Sequence, residues 1–225
     1  MQLTDLNSQV IPATDYRRER WRNQLGWTRA ILQLGNPESW ALRLSIAEIE
    51  QDAAFSAFPG IDRELVLLHG NGMRLRFGHA DSNSSGSGGN SDSGARDVGD
   101  GNTNGSSRDR TCQLLPPYQR VWFAGEETVT ATLLDGPTQD FNLMWRRDTL
   151  HTELLHRPLV GTMLFFADPG SAWVVHLLTG QADFGRDADL PPLAAGDTAW
   201  LSASKRTRYA LDGGGELLAI RVSPL

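Results

Sequence analysis

Apolar and polar residues alternate in short runs along most of the chain. Trp40, Leu42, Leu44 and Ile46 interleave with Ala41, Arg43, Ser45 and Ala47, the period of two that marks a strand with one face buried. Met73, Leu75 and Phe77 alternate with Arg74 and Arg76, and Val129, Ala131 and Leu133 alternate with Thr128, Thr130 and Thr132. Further strands are predicted at 141–145, 159–165, 172–178, 198–201 and 217–222. Gly70-Asn71-Gly72, Asp135-Gly136-Pro137, Asp168-Pro169-Gly170 and Asp212-Gly213-Gly214-Gly215 read as the turns between them. A helix of one or two turns is expected only at 15–22. Many short strands with so little helix predict an all-β sandwich or barrel.

One segment breaks the pattern. Residues 81–107 hold 8 Ser, 7 Gly, 4 Asn and 4 Asp in 27 positions. Such a stretch cannot bury enough surface to offset its ordering entropy, so it reads as a flexible insert. Leu75 and Phe77 before it, and Tyr118, Trp122 and Phe123 after it, are expected to form the two arms of a long hairpin around it. A faint repeat is also visible: Leu67-Leu68-His69-Gly70 resembles Leu177-Leu178-Thr179-Gly180, and Ala124-Gly125-Glu126 resembles Ala195-Gly196-Asp197. A small β-barrel half written twice would leave this trace.

Composition narrows the function classes. The chain has 225 residues, enough for one large domain or two small ones. Its 21 basic and 27 acidic residues give a net charge of −6, which offers no basic footprint for nucleic acid despite the cluster at 17–22. No apolar run approaches the roughly 20 residues a membrane helix needs. The N-terminal residues lack the basic region and apolar core of a secretory signal, so a cytoplasmic protein is expected. The single cysteine, Cys112, forms no internal disulfide.

The candidate chemistry is sparse. The five histidines include no His-x-His pair, and in the loose group His151, Glu153 and His156 the spacing puts the two histidines on opposite faces of a strand, or well apart on a helix. No metal ligand set is assigned. His176 sits inside an apolar strand and reads as a hydrogen-bonded core histidine. No Gly-x-Ser-x-Gly elbow, P-loop or Gly-x-Gly-x-x-Gly occurs, so no catalytic residue and no cofactor are assigned either. Three features stand out against this background. Phe58-Pro59-Gly60-Ile61-Asp62-Arg63 delivers an arginine to the mouth of a buried strand, although a surface contact of Arg63 with Asp62 or Glu64 is the simpler reading. Glu48 continues the register of Trp40, Leu42, Leu44 and Ile46, pointing a carboxylate inward or marking the strand end. Asp140, Asn142 and Met144 share one strand face and mix polar with soft apolar groups.

Taken in order, these segments resemble the HutD/Ves family of bacterial proteins. The resemblance is carried by Trp21-Arg22-Asn23 with Thr28-Arg29, by Ser45-Ile46-Ala47-Glu48, and by Phe55-Ser56-x-Phe58-Pro59-Gly60-Ile61-Asp62-Arg63. Phe123-x-Gly125-Glu126 and Asp135-Gly136-Pro137-x-x-Asp140-Phe141-Asn142-Leu143-Met144 complete it. Gln24 and Leu25 stand where the family usually has glycines, and Ala30 where it has a glutamate. The resemblance implies a metal-free, bicupin-like fold of two small β-barrels in a single unit spanning 1–225. The N-terminal barrel would cover about 12–145, interrupted by the insert, and the C-terminal barrel about 146–225.

It also implies a non-catalytic protein of histidine utilisation that binds a small anionic metabolite, urocanate or N-formylglutamate, in a regulatory role. Arg63 and Arg29 would hold the anion, Asn23 and Asn142 would orient it, and Trp21, Met144 and Glu48 would complete the pocket. A metal-independent enzyme acting on a small acid is the alternative, with Glu48 and Glu126 as carboxylates and His69 or His176 as partner. Neither nucleic acid nor membrane is expected among its partners, and a homodimer is left open.

Overall fold

The computed structural model describes residues 3–78 and 110–225; the insert at 81–107 lies outside the described residues. The first half contains β1 (Gln9–Ile11), β2 (Arg17–Arg20), β3 (Gly26–Asn36), β4 (Ser39–Ile49), β5 (Ala53–Ala54), β6 (Ile61–His69), β7 (Met73–Gly78), β8 (Arg110–Leu114), β9 (Arg120–Ala124), β10 (Thr128–Leu133) and β11 (Thr138–Arg146). The second contains β12 (Leu150–Ala167), β13 (Ala172–Asp183), β14 (Leu193–Ala194), β15 (Thr198–Ser202) and β16 (Thr207–Pro224). Among the described residues helix is confined to three short 3₁₀ turns, so the all-β expectation holds.

The strands form three antiparallel sheets, which stay open rather than closing into complete barrels. A central sheet has the order β2-β3-β4-β11-β6-β9. An outer sheet, β5-β10-β7-β8, covers one of its faces. The C-terminal sheet, β1-β15-β13-β16-β12 with β14 on β13, covers the other. The central sheet is thus buried on both sides, and its two faces carry different residues. Leu42, Leu44, Ile46, Phe141 and Leu143 pack against Val174, Trp200, Leu218 and Ile220 of the C-terminal sheet. Ala47, Ile49, Leu65 and Leu67, one residue out of phase, face Leu75, Phe77 and Val129 of the outer sheet. The C-terminal sheet bends over on itself around a separate apolar filling that includes Phe165, Val175, Leu201 and Leu217.

Three local expectations are corrected. The helix expected at 15–22 is a 3₁₀ turn at Ala13–Asp15 followed by strand β2, whose Arg17, Arg18, Glu19 and Arg20 are all exposed. Without an apolar face a helix there would have nothing to bury. The glycine run 213–215, expected as a turn, lies inside the continuous strand β16. There the backbones of β13 and β16 touch: a Cβ on Gly180 would stand 1.9 Å from the Gly214 carbonyl oxygen. The run bends a paired strand instead of ending it. Finally, β7 pairs with β8, while Trp122 and Phe123 belong to β9 in the central sheet, so the hairpin is shorter than its apolar flanks implied.

The internal repeat has a structural counterpart, displaced by one residue. The Glu127 carboxylate accepts from the Ala124 N–H at 2.9 Å, and Asp197 accepts from the Ala194 N–H at 2.9 Å. In both turns the fourth residue's N–H closes back on the first residue's carbonyl at 3.0 Å. Glu127 and Asp197 are therefore the matching acids.

Candidate binding cavity

A cavity of about 700 Å³ opens between the central and outer sheets, lined by residues of β2–β6 and β11 and the loops between them. Strand register arranges its floor in rows. Arg43 of β4, Met144 of β11 and Arg63 of β6 lie opposite one another, and Phe123 of β9 extends that row. The next row holds Ser45 and Asn142, and the one beyond holds Ala47 and Asp140. All of these belong to the face that looks away from the C-terminal sheet.

Arg63 is delivered by the Pro59-Gly60 turn. Gly60 takes φ 78°, the left-handed value the third position of such a turn requires, and the Ile61 N–H reaches the Phe58 carbonyl at 3.2 Å. The flanking acids do not pair with Arg63. Asp62 binds Arg147 at 2.8 Å and Glu64 binds Arg120 at 3.2 Å, both on the other side of the strand. The simple surface contact expected from spacing is thereby ruled out. Arg63 is instead 5% exposed, with its guanidinium over the rings of Phe123, Phe55 and Phe58 at 4.9, 5.3 and 5.6 Å. It donates one long hydrogen bond, 3.4 Å, to the Ser56 carbonyl, and its Nε has no hydrogen-bond partner. Desolvation pulls its pKa down to about 10, opposed by Asp140 and assisted by Arg43.

Asp140 is fully buried, and neither carboxylate oxygen has a hydrogen-bond partner. Burial pushes its pKa up to about 7, with Arg63 acting in the opposite direction. Asn142, 8% exposed, leaves its Oδ1 unpaired as well. Buried polar groups are nearly always satisfied in folded proteins, so three groups without a partner in one cavity mark it as the candidate site.

Five of the residues singled out in the sequence line this cavity: Arg63, Asn23, Trp21, Asn142 and Met144. Trp21 is fixed by its indole N–H on Thr28 Oγ1 at 2.9 Å. Asn23 spends its carbonyl oxygen on the Leu25 N–H at 3.1 Å. Between them Gln24 adopts φ 60°, so the left-handed backbone that a glycine would favour is kept without one.

Two candidates are placed elsewhere. Glu48 accepts from Arg18 Nε at 2.9 Å and Nη2 at 2.6 Å. Arg29 donates to the Ala13 carbonyl at 3.1 Å and lies over the Tyr16 ring. Thr28, not Arg29, lines the cavity from β3, and Ala47, not Glu48, lines it from β4. The register of Leu42, Leu44 and Ile46 leads to the C-terminal sheet, and the cavity lies on the opposite face. Asp140, which the sequence groups with Asn142 and Met144, lines the cavity as well, and Arg43 and Ser45 are lining residues that were not among the candidates. The available signal was Arg43 and Ser45 interrupting an otherwise apolar strand.

Glu126 and His176, two of the residues considered for acid–base chemistry, are engaged. Glu126 receives two 2.6 Å hydrogen bonds from Arg147. His176 is 2% exposed, shares a 2.9 Å hydrogen bond with Thr198 and packs against Phe141, so the core-histidine reading matches. Among the described residues no three His, Cys, Asp or Glu side chains gather as metal ligands, and no helix is long and apolar enough to cross a membrane.

Comparison with known proteins places the chain. The HutD family model matches residues 13–89 and 99–219. An uncharacterised 21.2 kDa protein in the hutC 3′ region of Pseudomonas putida is 31% identical over 139 residues, covering 61% of this chain and 57% of that protein. The structure of HutD from Pseudomonas fluorescens SBW25, in a formate condition, superposes with TM-score 0.71 at 24% identity over 97% of this chain and 99% of that one. An oxalate decarboxylase–formate complex from Lactobacillus farciminis superposes with TM-score 0.62 at 10% identity, covering 98% of this chain and 87% of that one. The fold is all-β and cupin-like.

Proposed function

The chain belongs to the HutD family, and from that premise we propose that it is a non-catalytic binding protein for a small anionic metabolite of histidine utilisation. Its role is regulatory and its compartment the cytoplasm. One observation carries the reading: Arg63, Asp140 and Asn142 are buried in one cavity with unsatisfied polar atoms. Arg63 takes a carboxylate, and its bare Nε supports an end-on or forked contact. Asn142 Oδ1 is an acceptor, and so is Asp140 when ionised, so together they favour a ligand that also carries an N–H. Urocanate and N-formylglutamate each combine a carboxylate with an N–H, and Trp21 and Met144 supply apolar wall for the atoms between.

The test is a thermal-shift and calorimetric screen against urocanate, N-formylglutamate, glutamate, formate and zinc. A ligand that binds only the folded state adds about 2.7 kcal/mol at a hundredfold excess over Kd. A shift with urocanate or N-formylglutamate that disappears in Arg63→Met supports the reading. A shift with zinc alone, or with none of the five, removes it.

Asp140 favours a second reading, a metal-independent enzyme. Glu48 and Glu126 are both held by arginines, whereas Asp140 has its pKa raised towards neutrality inside the cavity, as a general acid–base requires. Chromatography of each acid after prolonged incubation with the protein decides: a new product abolished by Asp140→Asn favours catalysis, and unchanged ligand favours binding alone.

A further inference from the structure

Asp140 is completely buried, and among the described residues nothing is bonded to either of its oxygens. Register gives the reason. On β11 it shares a face with Asn142 and Met144, alternate residues about 7 Å apart, and Arg63 stands opposite Met144 at the far end of that series. Beside Asp140 itself are Ala47 of β4 and Leu67 of β6, which bring no polar side chain. The other charged groups along the cavity are Glu19, Arg20 and Arg22, from β2 and the loop after it, and Arg43 of β4. Glu19 is bound to Arg17 at 2.7 Å and Arg20 to Glu50 at 2.6 Å, while Arg43 bears on Arg63. The charged group that acts on the Asp140 carboxyl is Arg63.

That dependence couples the two groups. In the empty protein the Arg63 charge favours an ionised Asp140 against the cost of burial, and the carboxyl titrates at about 7. An anion bound to Arg63 cancels this influence and brings a like charge into the same cavity. Both changes act in one direction. A proton on Asp140 is held more tightly once the anion is bound, and an ionised Asp140 makes the anion harder to hold.

We infer that the cavity takes up its anion together with one proton, which Asp140 keeps for as long as the anion stays on Arg63. This rests on the binding reading above and adds the regulation of that site: release is favoured as pH rises above neutrality. The proton comes from solvent, and Arg63 keeps a single counter-charge throughout, the aspartate before binding and the ligand after it. No additional buried charge is created, which is the costly alternative. Protonated Asp140 donates through one oxygen and still accepts through the other, so its part in recognising a ligand N–H survives.

The probes are N-formyl-L-glutamate and formate, because neither gains or loses a proton between pH 6 and 8, whereas the imidazole of urocanate does. Calorimetric titration of the intact chain is run at pH 6 and pH 8, at each pH in two buffers of different ionisation enthalpy, so that the difference in heat counts the protons taken up. The expected uptake is below about 0.2 proton per ligand at pH 6, where Asp140 is already protonated, and roughly 0.4–0.9 at pH 8. Affinity falls about five- to tenfold from pH 6 to pH 8. In Asp140→Asn the uptake disappears and the affinities at the two pH values agree within about twofold. A second readout labels the aspartate carboxyl carbons with carbon-13. The resonance missing from the ligand-free Asp140→Asn spectrum identifies Asp140, and N-formylglutamate added to the intact chain at pH 8 moves it to the position of a protonated carboxyl.

Binding at pH 8 without proton uptake overturns the inference and leaves the binding reading standing. So does uptake that persists in Asp140→Asn, or an Asp140 resonance that keeps its ionised position in the complex. Where Asp140→Asn fails to bind, that resonance in the intact chain decides by itself. Binding of neither probe sinks both readings together.

Discussion

Arg63 and Asp140 share one cavity, each acting on the other's charge, and no hydrogen bond joins them. A buried arginine and a buried aspartate that could have neutralised each other are held two rows apart on the same sheet face. Removing either one therefore has consequences different from breaking an ordinary ion pair.

Arg63→Met keeps the length and most of the volume of the side chain while removing an incompletely bonded buried charge. Replacing such a charge with a packed apolar group is often neutral or stabilising. Urea denaturation is expected to show no loss of stability, and titration with the bound acid a loss of about 2–5 kcal/mol in affinity. Retained binding would remove Arg63 from the site.

Asp140→Asn separates stability from binding through pH. The folded pKa, about 7, lies above the ordinary aspartate value of 3.8, so the folded protein holds its proton more tightly. The associated stability is complete below about pH 4 and is lost as pH rises through 7. At pH 8 the empty Asp140→Asn protein should be more stable than the parent by roughly 2–4 kcal/mol, the advantage vanishing towards pH 4. Thermal melts at pH 4.5, 6 and 8 check this, and an advantage independent of pH would contradict it.

His176 works in the opposite sense. Burial lowers its pKa from 6.5 to about 4, with Asp197 opposing and Arg29 assisting. Its stabilising contribution is present above pH 6.5 and is lost as pH falls towards 4, by at most about 3 kcal/mol. Between pH 4 and 6.5 this loss runs against the gain from Asp140, so the parent protein should show a shallow profile. His176→Gln should show stability rising with acidification across that window. A variant as flat as the parent would mean that His176 does not titrate there.

Two glycines with similar backbone angles should respond differently to alanine. Gly180, at φ +87°, has the Gly214 carbonyl oxygen in the way of a Cβ, while Gly161, at φ +75°, has nothing within 4 Å. Gly161→Ala is expected to cost about 1 kcal/mol of left-handed strain, and Gly180→Ala about 3 kcal/mol or more because β13 and β16 must separate. Equal melting temperatures for the two would show that the strands are not in contact there.

Local chemistry made much of this molecule legible. Alternation identified β4, β7 and β10, because successive side chains of a strand point to opposite faces and so each environment repeats every second residue. Pro59-Gly60 announced the turn that presents Arg63, because only a residue free to take positive φ follows proline there at low cost. The grouping of Asp140, Asn142 and Met144 on one face was visible for the same reason as the strands. The glycines at 213–215 were misread because a bend inside a paired strand and a turn between strands ask for the same residue. Only the partner strand distinguishes them.

The sequence alone determined that the chain is all-β, that its strands alternate, and that Arg63 arrives at a strand mouth next to two acids. Which face of the central sheet encloses a cavity was decided by tertiary structure. Both faces of that sheet are buried, one on the C-terminal sheet and one beneath the outer sheet, so period-two alternation marks two interiors without ranking them. Leu42, Leu44 and Ile46 point into the first of these, carrying Glu48 to Arg18, while Arg29 on β3 turns towards Tyr16. Arg43, Ser45 and Ala47 point into the second, where a space lined by Asp140 and Arg63 remains open.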